Sequence, residues 1–123
     1  MTAPPDVFPL WHIALTAAIT AVLTLVVTWW ARRGGKALSV VDLVFIALVA
    51  GGSVLLWRAA GNVPALNNDP IPAISPNDVL CPLVTYLLVG MYAAFRQPVP
   101  PGDFERLRVW IAVISLLVNI ITI

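Results

Sequence analysis

The feature that most constrains this chain is a long apolar segment that begins at Leu10. From Leu10 through Ala31, 22 residues, there is no Asp, Glu, Lys or Arg side chain. As a helix, this segment would be about 33 Å long at 1.5 Å per residue, and a bilayer's hydrocarbon core is about 30 Å thick. The segment therefore predicts a helix that crosses a membrane.

A cleaved signal peptide is the alternative interpretation of this segment. A signal peptide has a positively charged N-terminal region and an apolar core of roughly 7–15 residues. The stretch Met1–Pro9 contains Asp6 and neither Lys nor Arg, and the apolar core that follows is too long. We therefore predict a retained span whose N-terminus lies outside the cytoplasm.

The composition extends this interpretation to the whole chain of 123 residues, of which 60% are hydrophobic and 11% are charged. Soluble domains are about a quarter charged, and a soluble chain this short has too little interior to bury so much apolar surface. We expect a single transmembrane domain whose main partner is the lipid bilayer. The net charge of +1 gives no support for nucleic-acid binding.

Three further apolar segments predict an all-α integral membrane bundle of four transmembrane helices, arranged as two helical hairpins. The predicted spans cover about residues 10–31, 40–57, 78–95 and 107–123, with an outer loop at 58–77. The uninterrupted part of the last one, Val109–Ile123, would be only about 22 Å long. It crosses the membrane if the stems of Arg106 and Arg108 snorkel at its inner end; the alternative is a hairpin at the interface.

Local signals predict where two of these helices begin and where one is distorted. Ser39 and Ser75 each precede an apolar segment and are followed three residues later by Asp, a spacing typical of helix N-caps. Pro82 lies inside the third span and cannot donate a backbone hydrogen bond. We therefore predict a kink or a helix break between Asp78 and Thr85.

The orientation follows from the basic residues, because cytoplasmic loops carry an excess of Lys and Arg. With the N-terminus outside, Arg58 faces outward, and six basic residues face the cytoplasm: Arg32, Arg33, Lys36, Arg96, Arg106 and Arg108. This predicts that both termini are outside and that the protein is a multi-pass component of a bacterial cytoplasmic (inner) membrane. Five tryptophans are predicted interface anchors: Trp11, Trp29, Trp30, Trp57 and Trp110.

Two sets of residues are candidates for helix packing. A stripe with four-residue spacing consists of Thr16, Thr20, Thr24 and Thr28, and small residues on later spans are Ala47, Gly51, Gly52, Gly90 and Ala94. Small residues allow helix backbones to approach closely, although Gly51 and Gly52 could instead form a hinge. The threonine stripe is a packing seam within or between subunits, a weakly polar pore lining, or a set of hydroxyls bonded to their own helix.

Four other side chains have both a functional and a structural interpretation. Thr85 and Tyr86 lie deep enough in the third span for an internal hydrogen bond. Asn119 either clamps a neighbouring helix or lies near the outer interface. Cys81 is a reactive or lipidated thiol, or a small apolar filler, which is the ordinary role of a buried cysteine.

The central portions of the predicted spans contain no Lys, Arg, Asp or Glu, and the chain has one His (His12) and one Cys. Intramembrane ionisable residues mark proton relays and substrate sites, so their lack argues against a pump or a coupled carrier. We predict no catalytic residue, metal site, cofactor or small-molecule substrate. The expected activity is association with copies of itself or with other membrane proteins.

In size, number of spans and absence of a soluble domain, the chain resembles the small multi-span holins of bacteriophages. The resemblance covers the architecture of the whole chain and rests on no motif. It implies a non-enzymatic, oligomeric protein that permeabilises a membrane. The alternative is an accessory or assembly subunit of a larger membrane complex, or a membrane exclusion factor, for which the long outer loop offers a partner surface.

Overall fold

The computed structural model describes residues 8–33, 38–67, 75–96 and 101–122. These residues form four long helices and one short helix. They are α1 (Leu10–Arg33), α2 (Val40–Ala60), α3 (Pro64–Asn67), α4 (Pro76–Arg96) and α5 (Pro101–Thr122). The all-α class predicted from the apolar segments is therefore confirmed.

Three of these helices, α1, α2 and α4, are long and apolar enough to cross a membrane. Helix α5 is not in this group, because its N-terminal turns carry Asp103, Glu105, Arg106 and Arg108. It begins at Pro101 instead of near residue 107, so the charged segment belongs to the helix. Part of the predicted outer loop is also helical, since α2 continues to Ala60 and α3 forms a single turn.

The N-caps predicted at Ser39 and Ser75 are confirmed. The Asp42 backbone nitrogen donates to Ser39 Oγ at 3.1 Å, and Ser39 Oγ donates to Asp42 Oδ2 at 2.9 Å. At the start of α4, the Ser75 backbone nitrogen donates to Asp78 Oδ2 at 2.9 Å, and the Asp78 backbone nitrogen donates to Ser75 Oγ at 3.3 Å. These bonds satisfy backbone donors that the first helical turn leaves free.

The long helices pack mainly in the circular order α1, α2, α4, α5, with a smaller contact between α2 and α5. Neighbours are antiparallel. Residue His12 at the start of α1 contacts Thr122 at the end of α5, and Arg58 at the end of α2 contacts Asp78 at the start of α4. We call this end of the bundle the His12 end. The opposite end, where α1 and α4 finish and α2 and α5 begin, is the Arg32 end.

Helices α1 and α2 approach each other closely at Gly51. A Cβ atom added at Gly51 would lie 2.9 Å from the Ala17 backbone oxygen and 2.9 Å from Ala21 Cβ, so α1 and α2 touch through their backbones here. The helix break predicted as one outcome at Pro82 is wrong, because α4 continues without interruption from Pro76 to Arg96. In a membrane bundle, neighbouring groups can satisfy the backbone oxygen that an internal proline leaves free. A compact apolar cluster fills the interior towards the Arg32 end: Leu38, Leu43, Ile46, Ala50, Val89, Phe104, Leu107 and Ile111.

Candidate functional site

The bundle exposes apolar side chains and buries many polar ones. Leu48, Leu56 and Leu87 are about three-fifths exposed, at 60%, 61% and 60%. Among the described residues, thirteen polar or charged ones are buried: Thr16, Thr20, Thr24, Thr28, Asp42, Ser53, Arg58, Ser75, Asn77, Asp78, Thr85, Ser115 and Asn119. In water this arrangement would expose a very large apolar surface. In a bilayer the same surface contacts the apolar lipid chains.

All four threonines of the α1 stripe lie inside the bundle with no exposed surface. Thr20 Oγ1 donates to the Thr16 backbone oxygen at 2.9 Å, and Thr28 Oγ1 donates to the Thr24 backbone oxygen at 2.8 Å. The Thr24 hydroxyl has no hydrogen-bond partner among the described residues. The stripe therefore combines two of the sequence interpretations: it faces other helices, and three of its hydroxyls, including that of Thr16, bond to their own helix.

A line of hydroxyl groups joins α2, α4 and α5 in the middle of the bundle. Ser53 Oγ lies 2.7 Å from Thr85 Oγ1, which lies 3.0 Å from Ser115 Oγ. Asn119 Nδ2 donates to the Ser115 backbone oxygen at 2.6 Å, and the Cys81 sulfur lies beside the Asn119 and Ser115 side chains. We call these five residues the polar seam. The Asn119 Oδ1 atom has no partner among the described residues.

A buried ion pair closes the His12 end. Arg58 Nη1 lies 3.3 Å from Asp78 Oδ1, and the two side chains are 1% and 2% exposed. Trp57 Nε1 donates to Asn77 Oδ1 at 3.0 Å, which ties α2 to α4 a second time. Removing one member of a buried pair leaves an uncompensated charge, so this contact holds α2 and α4 in one relative position.

The same end also joins α1 to α5. His12 Nε2 donates to the Thr122 backbone oxygen at 2.5 Å, and Thr16 Oγ1 lies 3.0 Å from Thr122 Oγ1. No loop connects these two helices, since they are the first and last of the chain's long helices. Their contact closes the ring of helices.

A carboxylate bridges α2 and α4 at the Arg32 end. Tyr92 Oη donates to Asp42 Oδ1 at 2.5 Å, and Arg96 Nη2 lies 3.6 Å from the same oxygen. Asp42 therefore has two roles, because its other carboxylate oxygen accepts the Ser39 hydroxyl of the N-cap. The acidic group points into the bundle, while 55% of the Arg96 side chain is exposed.

A second charged cluster joins α4 and α5 through Gly90. A Cβ atom at Gly90 would overlap the Arg108 guanidinium, whose carbon lies 3.5 Å from the centre of the Tyr86 ring. Arg108 Nε donates to the Tyr86 backbone oxygen at 2.7 Å, and Arg108 Nη1 lies 3.2 Å from Glu105 Oε2. The Tyr86 hydroxyl donates to Glu105 Oε1, so Glu105 contacts both Tyr86 and Arg108.

The other sequence candidates divide between the interior and the exterior of the bundle. Ala47 and Gly51 are buried, whereas Gly52 and Ala94 are exposed, and a Cβ atom at Gly52 would meet nothing within 4 Å. Gly90 accommodates an arginine and not a neighbouring helix backbone. Four of the predicted anchors, Trp11, Trp29, Trp30 and Trp110, are exposed, while Trp57 is partly buried.

The basic residues used for orientation occupy one end of the bundle. The ends of α1 and α4 and the start of α5 bring Arg32, Arg33, Arg96, Arg106 and Arg108 to the Arg32 end, and Arg58 lies at the opposite end. Lys36 lies outside the described residues.

Sequence reasoning missed the charged partners of these arginines. The pairs Arg58–Asp78 and Arg96–Asp42 join residues on different helices, and no local spacing marks them. One signal was present, since Glu105 and Arg108 are three residues apart and a helix places such residues on the same face.

Fold and site together define a helical membrane protein with an apolar exterior and an interior that holds both an apolar cluster and many buried polar side chains. Within the described ranges no group of three or more His, Cys, Asp or Glu side chains is placed to hold a metal ion. No protein-family model, curated protein or solved structure matches the chain.

Proposed function

We propose that this chain is a four-span, holin-like protein that permeabilises a bacterial cytoplasmic membrane by self-association, without catalytic turnover. The observation that supports this proposal is the set of hydroxyl and amide groups inside an otherwise apolar bundle. In a closed monomer these groups are buried, where they contact one another, as in the polar seam, or bond to their own helix, as in the threonine stripe. In an assembly of many copies, the same groups would line a water-filled lesion.

The energetics favour such an exchange of partners. Hydrogen bonds between membrane helices contribute about 0.6 kcal/mol on average, because separated helices find other partners. The Ser53, Thr85 and Ser115 hydroxyls can therefore leave one another at modest cost when neighbouring copies or water replace the contact. A lesion requires many copies, so permeabilisation should begin abruptly once the protein reaches a critical density.

The contact between α1 and α5 is where the ring would open. It lacks a connecting loop, and its polar contacts at the His12 end converge on a single residue, Thr122. By contrast, α1 packs closely against α2 at Gly51, and the buried Arg58–Asp78 pair joins α2 to α4. Opening between α1 and α5 would expose the threonine stripe without breaking these stronger contacts.

A disulfide across this contact tests the proposal. In a Cys81→Ser background, Thr16→Cys and Thr122→Cys replace two hydroxyls whose oxygens are 3.0 Å apart, which is compatible with a disulfide after a small adjustment. The double-cysteine variant is expressed in a bacterium that also produces a cytoplasmic muralytic enzyme. While its disulfide is oxidised, the membrane potential should stay intact. Adding a reductant should cause an abrupt collapse and release of the enzyme.

The matched control is the single Thr16→Cys variant, which should behave alike with and without reductant. Collapse of the potential by the fully oxidised double variant would contradict the opening of this contact. Sustained high expression of the unaltered chain with an intact potential would contradict permeabilisation itself.

The proposed orientation has both termini outside, with α5 as the fourth span. Five described arginines at one end against Arg58 at the other support this orientation through the excess of positive charge in cytoplasmic loops. A single cysteine at position 68, replacing Asn68 in a Cys81→Ser background, should react with an impermeant maleimide on intact cells. Labelling only after lysis would reverse the orientation.

An accessory subunit of a larger membrane complex is the second candidate. It is favoured by an open apolar groove between α1 and α2, lined by Leu10, Ala14, Gly52, Leu55, Leu56, Ala59 and Ala60. Gly52 leaves room for the backbone of another helix. If this candidate is correct, a pull-down from the native host should recover a defined partner, and Gly52→Leu should abolish its recovery.

A further inference from the structure

At the Arg32 end, the basic and acidic side chains differ in their exposure. Four arginines on three helices point outward and are exposed: Arg32, Arg33, Arg96 and Arg106. Their guanidinium groups are exposed to a ligand that approaches this end of the bundle from the surrounding membrane surface, and Arg96 also lies 3.6 Å from Asp42 Oδ1.

The acidic side chains at the same end are mostly occupied within the bundle. Asp42 is 6% exposed and accepts hydrogen bonds from Ser39 and Tyr92. Glu105 accepts the Tyr86 hydroxyl and pairs with Arg108. Among the described carboxylates of this end, Asp103 belongs to an exposed residue and the Glu105 side chain is 47% exposed. The outward-facing charge is thus predominantly positive.

Aromatic side chains indicate the depth at which these arginines lie. Trp29, Trp30 and Trp110 are exposed at the same end, at 43%, 66% and 61%. The Arg33 guanidinium carbon lies 4.8 Å from the centre of the Trp29 ring. Exposed indoles prefer the headgroup level of a bilayer, so the arginines beside them lie at the depth of the lipid phosphates.

We propose that these four arginines form a binding surface for anionic phospholipid headgroups in the leaflet at the Arg32 end. A guanidinium donates two parallel hydrogen bonds to a phosphate, which suits it to this ligand. Each basic side chain near an anionic membrane surface raises association by about fivefold. The inference goes beyond the proposed function, since it requires insertion in a membrane and not permeabilisation.

The tryptophans beside the arginines supply the measurement. The purified full-length chain is reconstituted in vesicles that contain phosphatidylglycerol and phosphatidylcholine, with one or the other brominated to quench tryptophan fluorescence. Brominated phosphatidylglycerol should quench several-fold more effectively than brominated phosphatidylcholine at low salt. The preference should shrink in 1 M salt, where the Debye length falls to about 3 Å.

Variants distinguish lipid binding at the four arginines from a general effect of the membrane on tryptophan quenching. Arg32→Gln with Arg33→Gln should remove most of the preference, whereas Asp103→Asn should preserve or increase it. Protection of the buried Cys81 from a thiol reagent checks that each variant is folded. Equal quenching by the two lipids, or an unchanged preference in the double arginine variant, would overturn the proposal.

A final arm distinguishes lipid from free phosphate. In the same vesicles, chloride is replaced by inorganic phosphate at constant ionic strength. The preference for phosphatidylglycerol should persist, because the lipid is presented at the depth of the indoles. Its loss in phosphate would show that the arginines bind the free anion instead, and would also overturn the proposal.

Discussion

The two adjacent glycines of α2 provide a matched pair for testing the packing of α1 against α2. Gly51 faces α1, where an added Cβ would lie 2.9 Å from a backbone oxygen and 2.9 Å from Ala21 Cβ. Gly52 faces outward, where an added Cβ meets nothing within 4 Å. Replacing each glycine with alanine adds the same methyl group to neighbouring positions of one helix.

The expected difference follows from these distances. The Gly51 contact involves the backbone of α1, which cannot move aside as a flexible side chain can, so the helices must separate. Overpacking of this kind costs about 1–3 kcal/mol. The gain in helix propensity from Gly to Ala, about 1 kcal/mol, is common to both variants and cancels in the comparison. Gly51→Ala should therefore be about 1–3 kcal/mol less stable than Gly52→Ala.

The chain's single cysteine reports this difference. Cys81 has no exposed surface and packs in one cluster with Ala17, the residue that Gly51 touches. In detergent, its reaction with a thiol reagent requires opening of the bundle, and the rate follows the population of the open form when closing is fast. Cys81 in Gly51→Ala should react about 5- to 150-fold faster than in Gly52→Ala.

The unfolded chain in the same detergent gives the intrinsic reaction rate of the thiol in each variant. Equal protection of Cys81 in both variants would refute the close approach of α1 and α2 at Gly51. Faster reaction in Gly52→Ala would assign the contact to the opposite face of α2.

Three further predictions use unfolding in detergent as the measurement. Arg58→Leu or Asp78→Leu alone should cost about 3–5 kcal/mol, and the double variant should cost less than either, since no buried charge then lacks a partner; additive losses would contradict a buried pair. Gly90→Ala should destabilise the native chain but have little effect in an Arg108→Gln background, and equal effects in both would contradict the seating of the guanidinium. Thr20→Leu should cost about 1–3 kcal/mol because it overpacks the interior, and Thr20→Val should cost less because the hydroxyl that it removes bonds to its own helix; equal tolerance would place the stripe outside the bundle.

The sequence predicted those parts of the fold that depend on short-range signals. The long apolar segments predicted helices, because only a helix satisfies every backbone group of a single segment in lipid. The caps at Ser39 and Ser75 were predictable since their partners, Asp42 and Asp78, are three residues away. No contact with another helix is needed for either signal.

Contacts between helices were not predictable, because periodicity indicates a face of a helix but not the height at which that face meets its neighbours. The polar seam depends on Ser53, Thr85 and Ser115 reaching one level on three antiparallel helices. Asn119, for which the outer interface was one interpretation, is fully buried beside Cys81 for the same reason.

The predicted fourth span illustrates a conflict between two signals in one segment. From Val109 onward the sequence is apolar, but four of the six residues at 103–108 are charged. Helix α5 includes both parts, since Arg108 and Glu105 have partners on α4 and Phe104 and Leu107 fill the apolar cluster. Its charged turns are stabilised by α4, a relationship that hydropathy does not detect.

The apolar exterior also determines how the stability of the bundle depends on temperature. When a soluble domain unfolds, apolar groups enter water and the heat capacity rises by about 12–15 cal/mol/K per residue, so stability has a maximum near 10–20 °C. In a bilayer, side chains such as Leu48 and Leu87 face lipid both before and after the helices separate. Separation therefore involves a small heat-capacity change, and the free energy of helix association varies almost linearly with temperature. A bundle of this kind therefore lacks the curved stability profile, with its maximum near 10–20 °C, that burial of apolar surface from water gives a soluble domain.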